Sequence, residues 1–281
     1  MTVDFLDRRC AIAPGTGTFR YPAGEPGVTF DSSEPLGEIA YVRGAAADDL
    51  VTLAIWANSV RRLGGRPVAL MPYLPGARAD HDEHPAGFDA EVYARLINSV
   101  NLDRVICVDP HSDVMPGLLD NIEIVTAAEL IEPFLSRAGI LERLVGLIAP
   151  DEGARGRVAI VAERLGLPVY QAYKHRDFAT GKLSGFSCDA LPETGELLVV
   201  DDICDGGGTF MGLASAIPEA TDRLHLWVSH GVFSGHAARL GEHYRTIWTT
   251  DSHPGHLNLF DARTVPLLPT LLQHLTNGAP T

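Results

Sequence analysis

Leu197-Leu-Val-Val runs without interruption into Asp201-Asp202-Ile-Cys-Asp205, then into Gly206-Gly207-Gly208 and Thr209-Phe210. Four consecutive apolar residues read as a strand buried on both faces, as in a parallel sheet. The glycines permit a tight turn and leave backbone N–H groups uncovered. Thr209 and the residues after it read as the start of a helix, whose N-terminus attracts an anion. Two adjacent acids at the carboxyl end of a buried strand need partners, because unpaired buried charge is expensive. The stretch therefore predicts a phosphosugar site. Asp201 and Asp202 would bind ribose hydroxyls, and Asp205, Gly206, Gly207, Gly208 and Thr209 would cradle a phosphate. An ordinary βα turn with surface acids is the other reading of this stretch alone, since a lone glycine-rich turn is weak evidence.

The rest of the chain alternates in the same way. Residues 1–45 read as strands and turns, and 46–63 as a helix with acids early and arginines late, an order that suits the helix dipole. Pro67-Val-Ala-Leu-Met-Pro72 reads as a strand feeding a polar loop with Arg78, Asp80, His81 and His84. A helix over 88–100 precedes a strand at 103–108 that ends in Asp109-Pro-His111. After a helix-rich stretch the pattern restarts at Leu144, with Asp151 beyond a strand, a helix over 154–165, and a strand from Pro168 to Lys174. Further strands are expected at 225–230 and 247–250, with a closing helix at 263–276.

Strands alternating with helices imply an α/β fold with mainly parallel sheets and ligands at the strands' carboxyl ends. The recurrence predicts two α/β domains, 1–143 and 144–262, followed by a C-terminal helix over 263–281. A chain of 281 residues with 46% hydrophobic content supports cores of that number.

A formal net charge of −14 argues against sequence-independent nucleic-acid binding. It does not oppose a phosphorylated small substrate, because a divalent ion can bridge acids and phosphates. No apolar run is long enough to span a membrane and no secretory signal is visible. The four cysteines have neither metal spacing nor disulfide-rich density, which suits a reducing cytosol, and Cys107 and Cys204 read as small core residues.

Four loops following apolar strands carry candidate ligands: Arg78 with Asp80, Asp109 with His111, Asp151, and the Asp201/Asp202/Asp205 group. Such residues suit a hard cation bound to a nucleotide's phosphates. Lys174-His175-Arg176 reads either as a solvated charge run or as a cationic flap over transferring phosphates. His81, His84, His253 and His256 fit no metal spacing and read as surface residues, with His81 the one that could touch nucleotide.

Together these segments resemble the ribose-phosphate pyrophosphokinases, or phosphoribosyl pyrophosphate synthetases, in order from about residue 19 to 240. Met71-Pro-Tyr-Leu-Pro-Gly-Ala-Arg78-Ala-Asp80 is similar to that family's nucleotide loop, and Val108-Asp-Pro-His111 to its metal motif. Ala149-Pro-Asp151-Glu-Gly153, Lys174-His-Arg176, the 199–209 stretch and Ser229-His230-Gly-Val-Phe-Ser-Gly235 each match a further family segment. The resemblance implies two phosphoribosyltransferase-type, Rossmann-like domains and an oligomer, at least a homodimer. It implies Mg²⁺-dependent transfer of a diphosphoryl group from ATP to the anomeric hydroxyl of a ribose 5-phosphate, releasing AMP. His111 and Asp151 would hold Mg²⁺–ATP. Arg78 and Asp80 would meet the nucleotide, with Tyr21 and Glu25 near adenine across a subunit interface. Lys174 and Arg176 would stabilise the transferring group.

The chain departs from the family at Ala79, usually Gln, at Ala23, usually Asn, and at Gly206, usually a Thr that binds the 5-phosphate. Losing that side chain opens space for a larger substituent, so ADP-ribose is a second candidate acceptor, which would place the enzyme in NAD⁺ salvage. The segment 250–260 is unlike the family. Two other readings stay open: a phosphoribosyltransferase that uses phosphoribosyl pyrophosphate, and a non-catalytic regulatory homologue.

Overall fold

A computed structural model describes residues 3–7, 11–31, 37–80, 88–176 and 183–277, with only the backbone described at His175, Arg176, Leu183, Ser184 and Asn277. The chain forms two compact units, Met1–Val125 with Leu267–Thr281, and Thr126–Pro266.

The first unit begins with β1 (Val3–Leu6), the hairpin of β2 (Thr16–Arg20) and β3 (Pro26–Phe30), and β4 (Ile39–Val42). α1 (Ala47–Arg62), β5 (Val68–Leu70), α2 (Asp89–Ser99), β6 (Arg104–Val108), the short α3 (Val114–Leu118) and β7 (Ile122–Val125) follow. The sheet order is β1-β4-β5-β6-β7. β1 is antiparallel to β4, and the rest are parallel. α1 carries Asp48 and Asp49 in its first turn and Arg61 and Arg62 in its last. It buries Leu53, Trp56, Ala57 and Val60, which share one helical face. Trp56 stacks on Phe5 at 5.6 Å, and its indole N–H donates to the Gly37 carbonyl at 2.6 Å. That bond satisfies the one polar atom of a fully buried ring.

The second unit contains α4 (Ala127–Arg137), β8 (Leu144–Ala149), α5 (Arg155–Leu165), β9 (Val169–Arg176), β10 (Leu183–Cys188) and β11 (Glu196–Cys204). It continues with α6 (Gly208–Ala216), β12 (Leu224–Gly231), β13 (Thr246–Thr250) and β14 (Arg263–Val265). Its sheet order is β10-β9-β8-β11-β12-β13-β14. β10 alone is antiparallel to its neighbour. β11 lies centrally, and its residues Leu197 to Val200 are fully buried, as an uninterrupted apolar run requires. The last helix, α7 (Leu268–Asn277), returns to the first unit.

The fold is the expected mixed α/β with mainly parallel sheets. The chain changes units at Val125/Thr126, whereas the sequence pattern put the change at 143/144. The physical reason is α4: it packs against α5, and Phe134 meets Trp227 edge-on at 6.4 Å. The stretch 263–276, expected to be helical throughout, starts as the edge strand β14. β7 and β10 were not expected as strands. Cys107 and Cys204 are buried core residues, as expected. Burial pushes the Cys107 thiol up to about 12. Among the described residues, no helix is long and apolar enough to cross a membrane.

Candidate active site

In the second unit, β8 and β11 are parallel neighbours with Ile148 opposite Val199. Asp151 and Asp201, a few residues further on, therefore leave the sheet at the same end. Asp151 Oδ1 accepts a hydrogen bond from the Ala154 N–H at 3.0 Å, which satisfies a donor at the start of α5. Its other oxygen, Oδ2, lies 2.5 Å from Lys174 Nζ. Lys174 does not sit beyond a strand end. It is inside β9, opposite Phe186 of β10, so the sheet itself sets its direction. Arg176 is the last residue of β9, and its side chain is outside the described residues, as are residues 177–182.

Near the end of β11, Asp202 is buried and Asp201 largely so, with side chains 4% and 13% exposed. The Asp202 N–H donates to Asp201 Oδ1 at 2.9 Å. Arg157 Nη1, from the first turn of α5, lies 3.5 Å from Asp201 Oδ1 and 3.3 Å from Asp202 Oδ1. Burial pushes Asp201 well above the usual carboxylate range, and the charge of Asp202, a hydrogen bond to it and the charge of Asp151 push the same way. Arg157 opposes them. Sequence reading missed this arginine, because a polar residue on an amphipathic helix gives no sign of facing inward.

The loop after Asp205 turns through Gly207, whose φ of +78° is in the left-handed region. A Cβ there would lie 3.3 Å from the Ala237 Cα, so both conformation and space call for glycine. At Gly206 a Cβ would meet no atom within 4 Å. α6 begins at Gly208, so Gly207, Gly208 and Thr209 form the N-terminal rim of a nine-residue helix, with Gly207 buried, Gly208 exposed and Thr209 half-buried. Asp205 is held from the segment that follows the neighbouring strand: Ser234 Oγ donates to its Oδ1 at 2.6 Å. The backbone N–H of Ser234 donates to the Asp205 carbonyl at 3.0 Å. Val232 and Phe233 N–H both donate to the Cys204 carbonyl. The 229–235 motif thus acts as a clamp on the glycine loop.

Beyond it, His230 Nδ1 lies 2.8 Å from Ser252 Oγ. His253 was expected on the surface but is half-buried and caps the turn Pro254–Asn258, with Nδ1 accepting from the Gly255 N–H at 3.0 Å. Burial, with His230 and His256 nearby, holds its pKa below the usual histidine value. His256 is also half-buried, its Nδ1 2.7 Å from the His253 carbonyl.

In the first unit, the loop after β5 presents an exposed Arg78 and a half-buried Asp80. Gly76 of that loop has φ +78°, and a Cβ on it would lie 2.4 Å from the Tyr93 ring. The loop is therefore seated directly on α2. Past β6, Asp109 is buried with φ 38°, and its N–H donates to the Val125 carbonyl at 2.8 Å. That left-handed residue turns the chain so that His111 is exposed. Tyr21 and Glu25 flank the β2–β3 turn, joined by the Tyr21 N–H to the Glu25 carbonyl at 2.9 Å. The Tyr21 ring is 53% exposed. His81 and His84 are outside the described residues.

No family model matches this sequence. The ribose-phosphate pyrophosphokinase of Granulibacter bethesdensis is 31% identical to it over 216 residues, covering 74% of this chain and 68% of that protein. The chain belongs to the ribose-phosphate pyrophosphokinase family. The family's Bradyrhizobium diazoefficiens member is 28% identical over 206 residues, 69% of this chain and 62% of its own length. The family fold is evident as well: a crystal structure of phosphoribosylpyrophosphate synthetase from Mycobacterium smegmatis superposes with a TM-score of 0.79 at 21% identity. That match covers 95% of this chain and 91% of the other.

Proposed function

We propose that this pyrophosphokinase-family chain transfers the β,γ-diphosphoryl group of ATP to the C1 hydroxyl of a ribose 5-phosphate-type acceptor and releases AMP. The observation that carries the reading is the strand-end assembly of Lys174, Asp151, the Asp201/Asp202 pair and the glycine loop in one unit. In it, Asp201 and Asp202 accept hydrogen bonds from the ribose hydroxyls, and the N–H groups from Asp205 to Thr209 take the 5-phosphate. The acceptor's anomeric oxygen attacks the β-phosphorus, the bridge to the α-phosphate breaks, and the hydroxyl proton passes to solvent. Lys174 and Arg176 balance the charge that spreads over the transferring oxygens. The first unit supplies the nucleotide's contacts, Arg78 and Asp80, with Tyr21 and Glu25 near adenine in a homo-oligomer. The protein works in the cytosol, with neither nucleic acid nor membrane as partner.

The residues fit a magnesium ion. Asp151 of the second unit offers hard carboxylate oxygen to such an ion, and His111 is exposed in the first unit. Among the described residues no three acids, histidines or cysteines group to hold a metal alone. Mg²⁺ characteristically takes one or two protein ligands and completes its shell with phosphates and water. Bound there, it would neutralise phosphate charge.

The open space at Gly206 favours ADP-ribose beside ribose 5-phosphate as acceptor. The test is AMP formation from ATP and Mg²⁺ with each acceptor in parallel. Acceptor-dependent AMP is expected; its absence with both sinks the reading and favours the regulatory homologue.

A further inference from the structure

We infer that Arg157 is a positioning residue for the acceptor: it holds the Asp201/Asp202 pair in register with the Asp151 loop. The inference rests on the acceptor reading of that pair given above.

The geometry is specific. α5 starts directly after the Asp151 loop, and Asp151 accepts a hydrogen bond from the N–H of Ala154, the residue that precedes the helix. Arg157, in the first turn of the same helix, reaches back to β11 and touches both acids through one nitrogen. The start of α5 is therefore pinned at one end by Asp151 and at the other by the acid pair. Its side chain is only 11% exposed, so its charge is little screened by solvent. The charges of Asp202 and Asp151 both bear on Asp201. Lys174 answers Asp151, and Arg157 answers the other two. An acid left buried without its cation either swings away or takes up a proton. In both cases it presents the wrong face to a ribose hydroxyl, since a protonated carboxyl donates where it should accept. Arg157 meets no substrate in this scheme and acts only through the acids.

The test uses the full-length chain and the variants R157Q and R157K. R157Q is expected to raise the KM of ribose 5-phosphate about 10- to 100-fold, the consequence of breaking a buried charge pair. The KM of ATP should stay within about twofold, because ATP binding makes no use of the pair. R157K keeps the charge but not the planar fork and should recover part of the loss. In a double-mutant cycle, D202N should cost much less in the R157Q background than in the wild type. A KM rise shared equally by ATP and acceptor, or additive effects of R157Q and D202N, would overturn the inference. If R157Q does not fold, R157K with D202N carries the same cycle. Calorimetric binding of ribose 5-phosphate separates the two ideas. Wild type that binds it but forms no AMP defeats the diphosphokinase reading alone. Equal binding by wild type and R157Q defeats the positioning role alone.

Discussion

Ser234 Oγ donates to Asp205 Oδ1 across 2.6 Å, joining the strand-end motif after β12 to the first residue of the glycine loop. A side chain 29 residues away thus sets the orientation of the loop's only carboxylate. S234A should remove that hold without disturbing the core, at about 1 kcal/mol. The acceptor KM is expected to rise about fivefold with little change in melting temperature. Steady-state kinetics with varied ribose 5-phosphate checks this.

Gly206 and Gly207 should respond oppositely to a side chain. G206T meets open space and should fold with stability within about 0.5 kcal/mol of wild type. It should shift acceptor preference toward ribose 5-phosphate over ADP-ribose by reducing room beside the phosphate. G207A forces a side chain into a left-handed position and should lose about 1–2 kcal/mol. Thermal melts and the ratio of kcat/KM for the two acceptors measure both.

Lys174 sits on rigid strand rather than in a loop, so its charge is already aimed. K174M should lower kcat about 100-fold or more while leaving acceptor affinity nearly intact. Unchanged kcat would remove Lys174 from the chemistry.

Acid should loosen the last helix. His274 Nδ1 lies 2.8 Å from Glu123 Oε1, and Arg104 pairs with Glu123 while donating to the His274 and Leu275 carbonyls. Burial alone would raise Glu123, but the hydrogen bonds and charges of Arg104 and His274 outweigh it and hold the carboxyl below 4.5. A lowered carboxyl stabilises the fold above its unfolded pKa and loses that contribution as pH falls through its folded one. Melting temperature against pH should fall less steeply for E123Q than for wild type below about pH 4.5.

Much of this was readable from residues. The run 197–209 became β11 and α6 because buried strands and glycine-started helices declare themselves locally. Asp151, Lys174 and Asp201 were singled out from resemblance and strand-end position, and all three lie in the second unit. What was hidden was long-range. Nothing at α4 announces that Phe134 packs on Trp227, so the division of the chain was misplaced. Gly185 with φ 72° accompanies an irregular β10 pairing, which masked that strand's period. Arg157 drew no notice within its helix, and His253 read as a surface loop residue, because their partners lie far off in sequence.

The return of α7 to the first unit has a consequence for how the molecule comes into being. A ribosome finishes every strand of the second sheet before it makes the helix that the first unit still needs. The earlier-made unit therefore completes its packing only once Leu268–Asn277 has emerged, and until then the surface that α7 covers stays exposed.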